Sequence, residues 1–456
     1  MASRRATLGA VPVSSAAIEG ESQGIAGWRP RVSALAPRLL VAAVVALFLV
    51  NGARYAYETQ RELRLIPWLA YDDRVDFNYF YAGAQLALHG EAADLYPQSG
   101  EPSFPQGDPI FGLTRDDYAR ARLLARGNYY NPPALAFLQA PLAGLPFRSA
   151  LWLFSALSLG ALAGFLALCW RAGRGVWEMP LLVMGILSFG LVHEVLIMGH
   201  PTMFLLLALG GGLLALRSGR PVLAGLALSL LALKPQWAVL PALFLLVRGE
   251  WRALATMAIA STALFFLPFL ATGLGALKSY VQFIREASAA DVGAAPQMFS
   301  WNGFLYKLNG SAASPALIFG LMAVTLLPLL AVWRSRDFYL GGAATVVAML
   351  LLSLHSVWYD WAFLAVAALL LTLRPSRPAV RVQGWAILLA LYLASSQSTS
   401  ALLFPGHHFI DWERPAFYSL TLVAFMALVW MAAVPFWDRA ADGAPALAPA
   451  PAGVRG

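Results

Sequence analysis

Charge is scarce in this chain: Asp, Glu, Lys and Arg make up only 12% of its 456 residues, against 59% hydrophobic. So thin a polar surface excludes an ordinary soluble globule. Cysteine is nearly absent as well. The single thiol, Cys169, lies inside an apolar run, which excludes a disulfide framework and a Cys-based metal site. The six histidines have no zinc-ligand spacing, and no Gly-Lys-Ser/Thr follows Gly210–Gly212, which reads as a close helix contact rather than a phosphate loop. No metal and no cofactor is therefore expected. A formal charge of +8 would suggest nucleic acid in a soluble domain, but here the basic residues fall in short clusters between apolar runs, as orientation signals do. No nucleic-acid partner is expected either.

What the chain has in abundance is apolar runs. Judged against the roughly 20 residues needed to cross a bilayer, about twelve segments stand out: 38–55, 149–170, 179–198, 201–217, 222–233, 236–247, 251–270, 314–333, 338–354, 356–373, 383–400 and 415–436. The expected fold class is an all-α polytopic membrane protein lying in a lipid bilayer. Segments 222–233 and 236–247 are too short to cross alone and read as half-length helices broken at Lys234 and Pro235. Such a break is tolerated only inside protein or beside a wet cavity. PPALAFLQAPLAGLPF, from Pro132 to Phe147, is short and proline-interrupted, which suits an interfacial or re-entrant helix. Residues 1–37 read as a disordered cytoplasmic lead, 38–437 as the membrane domain, and the Ala- and Pro-rich 438–456 as a disordered cytoplasmic tail.

Charge orients the bundle. With residues 1–37 inside, Arg171, Arg174, Arg217, Arg220, Arg248, Arg252, Arg334, Arg336, Arg374, Arg377, Arg381 and Arg439 all fall on the cytoplasmic side, as the positive-inside rule requires. The same threading puts Asp76, His200, Lys234, Asn302, His355 and His407 at or toward the outer face. Two of the outer loops are long, 56–131 and 271–313, and a third covers 401–414. The piece LKSYVQFIREAS in the second is amphipathic and suits a helix in the headgroup plane. In the first, Asp76 opens DFNYFYAGAQLALHG. A carboxylate at the mouth of a membrane bundle is a functional candidate by default. Asp76 also stands where a helix N-cap would stand, with Gly90 as the stop, and Asp72 and Asp73 are rival acids.

The order of motifs resembles glycosyltransferase family 87. DFNYFYAGAQLALHG and LYP are followed by NYYNPPALAFLQAPLAGLP, GHPTMFLLLALGGGL, LALKPQWAVLPALFLL and LLSLHSVWYDWAFL, over about residues 70–375. The resemblance implies a GT-C-type bundle of about 12 transmembrane helices with outer-face loop helices, in the plasma (inner) membrane, both termini cytoplasmic and the active site outside. It implies transfer of a hexosyl residue, mannosyl in the family, from a polyprenyl phosphate sugar donor to a hydroxyl of a glycolipid or glycan acceptor, with inversion. No nucleotide-binding domain is visible, which agrees with a lipid-linked donor. By analogy Asp76 is the general base, and Lys234 and His355 are candidates for holding the donor phosphate, Lys234 as a point charge. Tyr129, Tyr130, Asn131, His200, Gln236, Trp301, Asn302, Tyr359 and Asp360 are candidates for lining the substrate site. A transporter or flippase for a lipid-linked or polar substrate is the alternative. Transporters tend to carry internal repeats, whereas the loop 56–131 has no counterpart in the second half of this chain.

Overall fold

A computed structural model of the protein describes residues 19–65, 76–96, 129–290, 298–311, 313–395 and 415–442. The chain divides into Met1–Val50 and Asn51–Gly456. Regular structure among the described residues is helical throughout, with one antiparallel bridge between Met298 and Val357. The long first helix is α1 (Glu19–Leu65). Helices α2 (Asp76–Leu88) and α3 (Pro133–Ala143) lie in the first loop region, α2 being followed by a 3-10 turn, Ala92–Leu95. Then come α4 (Phe147–Ala172), α5 (Met179–Leu187), α6 (Gly190–Met198), α7 (Thr202–Arg217) and α8 (Pro221–Ser229), which runs into a 3-10 turn, Leu230–Leu233. Next are α9 (Pro235–Arg248), α10 (Trp251–Thr272), α11 (Leu274–Ala290), α12 (Trp301–Asn309), α13 (Pro315–Arg334) and α14 (Phe338–Leu352). After the 3-10 turn Trp358–Phe363, the chain closes with α15 (Leu364–Leu373), α16 (Pro378–Ser395) and α17 (Pro415–Asp442).

Each of the twelve apolar segments expected from sequence contains helix among the described residues, but they are not twelve equal spans. Among the described residues, six stretches are long and apolar enough to cross a membrane: Arg38–Arg64 of α1, α4, α10, α13, α16 and Leu420–Asp438 of α17. Helices α5 and α6, bent by 44° at their junction, make a seventh if counted as one. The other apolar helices are 10–17 residues long, because prolines and polar turns cut them short. α14 is apolar on every side and buried on every side, which marks the centre of the bundle. α10 leaves Ile259, Phe266, Leu267 and Leu270 uncovered, as a helix facing lipid does. The expected close contact at Gly210–Gly212 is present: a Cβ on Gly212 would come within 2.8 Å of Leu228, so α7 and α8 touch through a residue without a side chain.

Both ends depart from the expected boundaries. Helical backbone begins at Glu19, inside the segment read as a disordered lead, and α17 continues to Asp442, inside the segment read as a loose tail. At the second of these an ion pair supplies the reason. Arg374, at the end of α15, donates from Nη2 to Asp438 Oδ2 at 2.6 Å and from Nε to Asp337 Oδ2 at 2.7 Å. Asp337 also caps α14, accepting from the backbone N–H groups of Tyr339 and Leu340, a contribution of about 1 kcal/mol. Asp72, Asp73, His407 and Arg439 fall outside the residues whose side chains are described.

Candidate active site

Three interruptions in helices bring several of the polar residues singled out in the sequence together. The first is the break before α9. Pro235 occupies the first turn of that helix, and a proline pushes the preceding residue out of helical geometry; Lys234 has φ −129° and ψ 88°. The second is the turn between α6 and α7. Gly199 has φ +62°, and a Cβ there would lie 2.6 Å from Phe77 Cβ. Only glycine meets both demands, and the close approach seats the first turn of α2, which begins at Asp76, against the His200 turn. The third is the stretch after α14. Val357 pairs with Met298 and Phe299 N–H donates to Ser356 O at 3.0 Å, which holds His355 beside the start of α12 and delivers Tyr359 and Asp360 on the 3-10 turn.

The resulting cluster has one lysine among two carboxylates. Lys234 Nζ donates to Asp360 Oδ1 at 3.1 Å, with both side chains buried. The other oxygen of Asp360 accepts the Val357 N–H at 3.3 Å, so this acid is fully engaged. Lys234 Nζ also lies 5.5 Å from the centre of the Tyr359 ring. Tyr359 donates its hydroxyl to Asp76. Asp76 is only partly buried as a residue, yet its Oδ2 is shut off from solvent and has no hydrogen-bond partner among the described residues. Burial pushes the Asp76 carboxyl up from 3.8 to about 6. The Tyr359 hydrogen bond and the positive charge of Lys234 resist that rise, the neighbouring Asp360 adds to it, and His355 pulls downward. An acid with that titration range, buried and with an oxygen to spare, is equipped to take a proton near neutral pH.

His200 closes one side. Its ring is 4.5 Å from Tyr359 and 5.4 Å from Phe80, and Nδ1 accepts the Thr202 N–H at 3.2 Å with Thr202 Oγ1 at 2.6 Å. Burial, with Lys234 and His355 nearby, pushes this imidazole well below its usual range, so it sits in the turn as the neutral tautomer protonated on Nε2. Thr202 and Phe80 were not among the sequence candidates, although a threonine two residues after a histidine is the kind of local partner sequence can reveal. Tyr130 lies between His355, at 6.2 Å and 24°, and Phe283 of α11, at 5.3 Å. It thereby links the amphipathic helix to the cluster.

The remaining candidates are placed elsewhere. Tyr129 is buried against Gly83 and Phe80, and Asn131 is buried with its carbonyl accepting from Tyr96 at 2.7 Å, so both belong to the packing of α2 on α3. Trp301 is buried and donates to Thr325 on α13 at 2.8 Å. Asn302 donates to Leu354 O at 3.4 Å, next to His355. Gln236 is exposed at the start of α9. The structure thus gathers Asp76, Lys234, His355, His200, Tyr130, Tyr359 and Asp360, with Asn302 at the edge. Among the described residues no three His, Cys, Asp or Glu side chains are grouped to hold a metal ion.

The family model of glycosyltransferase family 87 matches residues 129–357, half of the chain. That stretch includes Lys234, His200, Tyr130 and His355, while Asp76, Tyr359 and Asp360 lie outside it and reach the cluster through the fold. No curated protein and no solved structure matches the chain.

Proposed function

As the chain belongs to glycosyltransferase family 87 and is a membrane glycosyltransferase, we propose that it moves a hexosyl residue, mannosyl in the first instance, from a polyprenyl phosphate sugar to a hydroxyl of a glycolipid or glycan. Asp76 is the general base. The acceptor O–H gives its proton to Asp76 Oδ2 while its oxygen bonds to the anomeric carbon. The bond from that carbon to the phosphate oxygen breaks with its electron pair, and the configuration inverts. The departing phosphate is stable as an anion, so a second carboxyl acting as acid is not needed, in contrast to glycoside hydrolysis.

The observation that carries this reading is the unpartnered, buried oxygen of Asp76 beside Lys234. Lys234 has three N–H donors, of which one is spent on Asp360. The others are free to hold phosphate oxygens in a site of low dielectric, where such contacts are strongest. His355, which acts on Asp76 with the same sign as Lys234, is the second group that donates to the phosphate. With arginine clusters inside, the cluster faces outward across the plasma (inner) membrane and both termini are cytoplasmic. The donor then enters from the bilayer and the acceptor from the cell envelope.

The test uses membranes containing the full chain, Asp76→Asn, or no added protein, with radiolabelled polyprenyl phosphate mannose. Label passing into product only with the wild type supports the donor and the base together. Equal transfer by Asp76→Asn would remove Asp76 as the base, and no transfer by the wild type would remove mannose as the donor sugar.

A further inference from the structure

Tyr359 and Asp360 are neighbours on one 3-10 turn, and each reaches a different half of the chemistry assigned above. Tyr359 donates to Asp76, and Asp360 accepts from Lys234. From this geometry we infer that the turn Trp358–Phe363 is the positioning element of the enzyme, with Tyr359 setting the orientation of the base and Asp360 setting the place of the phosphate-binding lysine. The inference rests on the assignment of Asp76 and Lys234 in the preceding subsection.

Tyr359 leaves Asp76 one oxygen. A carboxylate has two, and either can take a proton from an acceptor; with one held by the phenol, the free Oδ2 faces a fixed direction. The phenol is itself wedged by the rings of His200 at 4.5 Å and Trp358 at 5.1 Å, so the direction is not negotiable. Asp360 works by a similar logic. A lysine carries three rotatable donors on a flexible stem, and side-chain entropy opposes any single placement. Asp360, wholly buried and itself fixed by the Val357 N–H, holds the ammonium just before the start of α9, where the helix break would otherwise leave it to wander. Because the two residues are adjacent in the chain, the spacing between base and phosphate donor is set by one short piece of backbone.

The two contacts act on Asp76 with opposite sign. The phenol stabilises its carboxylate, whereas the negative charge of Asp360 destabilises it. Among the described residues, the groups that act on Asp76 are Lys234 from the break before α9 and His355, Tyr359 and Asp360 from the segment before α15; His200, from the turn before α7, packs on the Tyr359 ring.

The experiment measures the protonation of Asp76 directly, by the infrared band of its protonated carboxyl in the purified full-length protein. The band is identified by its loss in Asp76→Asn, and the readout does not depend on turnover. Tyr359→Phe is expected to raise the midpoint by about one pH unit and to leave the affinity for polyprenyl phosphate mannose as in the wild type. Asp360→Asn is expected to lower the midpoint and to weaken donor binding about tenfold, and Asp360→Glu, which keeps the charge, to recover most of that affinity. Unchanged midpoints in both variants, or a shift of the same sign in both, would overturn the inference. So would wild-type donor affinity in Asp360→Asn. Failure of the functional reading is distinguishable, since it appears as transfer by Asp76→Asn or as no transfer by the wild type.

Discussion

On the topology proposed above, the inner and the outer end of the bundle hold ionic clusters of the same formula, one cation and two carboxylates, and they differ in what is left over. At the inner end Arg374 bonds Asp337 at 2.7 Å and Asp438 at 2.6 Å, so both acids touch the cation. At the outer end Lys234 bonds Asp360 at 3.1 Å, and Asp76 is in ion-pair contact with no cation among the described residues. Arg374 Nη1 and Asp438 Oδ1 also lack partners among the described residues, but they belong to groups already paired. The residue type explains the contrast. A guanidinium is a flat fork that can serve two carboxylates at once, and an ammonium is a point charge that follows the nearest one. The inner cluster ties α14, α15 and α17 together; the outer cluster keeps a carboxylate in reserve at the cost of leaving it poorly compensated.

The largest effect should come from breaking the outer cluster at its reserve group. Asp76→Asn keeps the size of the side chain and its bond to Tyr359 but cannot accept a proton, and a lost general base costs about 10²- to 10⁴-fold in rate. Thermal unfolding in detergent should show no loss of stability, because a poorly compensated buried charge has been removed. If the variant were both inactive and unstable, Asp76 would belong with the inner kind of cluster.

Breaking the inner cluster should do the reverse. Arg374→Met leaves Asp337 and Asp438 without their cation. Removing one partner of a buried pair costs about 3–5 kcal/mol, and the lower end applies because the carboxylates are 24% and 28% exposed. A lowered unfolding midpoint with normal transfer per folded molecule is the expected result, read by thermal scans alongside a transfer assay. A selective loss of transfer would show that the inner cluster is coupled to the site.

The third change makes the outer cluster resemble the inner one. In Lys234→Arg the total charge is preserved, but the fork can bond Asp76 as well as Asp360. The reserve carboxylate is then consumed, and transfer should fall about 10- to 100-fold with little change in stability. Wild-type rates in this variant would mean that charge alone matters at position 234 and that the geometry of the lysine does not.

How much of this was legible in the sequence follows from the range of each interaction. The helices were, because each apolar run is local, and so was the break at Lys234, because Pro235 acts on its own neighbour. The gathering of Asp76, His200, Lys234 and His355 on one side follows from counting crossings. Partner choice inside the cluster was not legible: Lys234 and Asp360 are 126 residues apart, and nothing local distinguishes Asp360 from Asp76 as the mate of the lysine. Trp301 and Gln236 show the same limit from the other side. Both stand next to site residues in the chain, yet Trp301 is spent on Thr325 and Gln236 is exposed. The helical start at Glu19 was hidden because composition alone does not separate a polar helix from a disordered lead.

The smallest effect is the pH dependence of the wild type, and it tests the reserve carboxylate without any substitution. As the proposed base, Asp76 would act only when ionised, and burial raises its titration to about 6. Transfer should therefore be full above that range, about half at pH 6 and lost as the pH falls further. The free enzyme is reported by kcat/KM, so this quantity should show its acid limb near 6. The limb of kcat belongs to the complex, in which a donor phosphate held by Lys234 brings a second negative charge near Asp76 and partly cancels the lysine. That limb should lie at higher pH than the first. Coincident limbs would indicate that Lys234 does not hold the phosphate, and a limb near 4 in both would indicate that Asp76 is solvated in the working enzyme, as a surface carboxylate is.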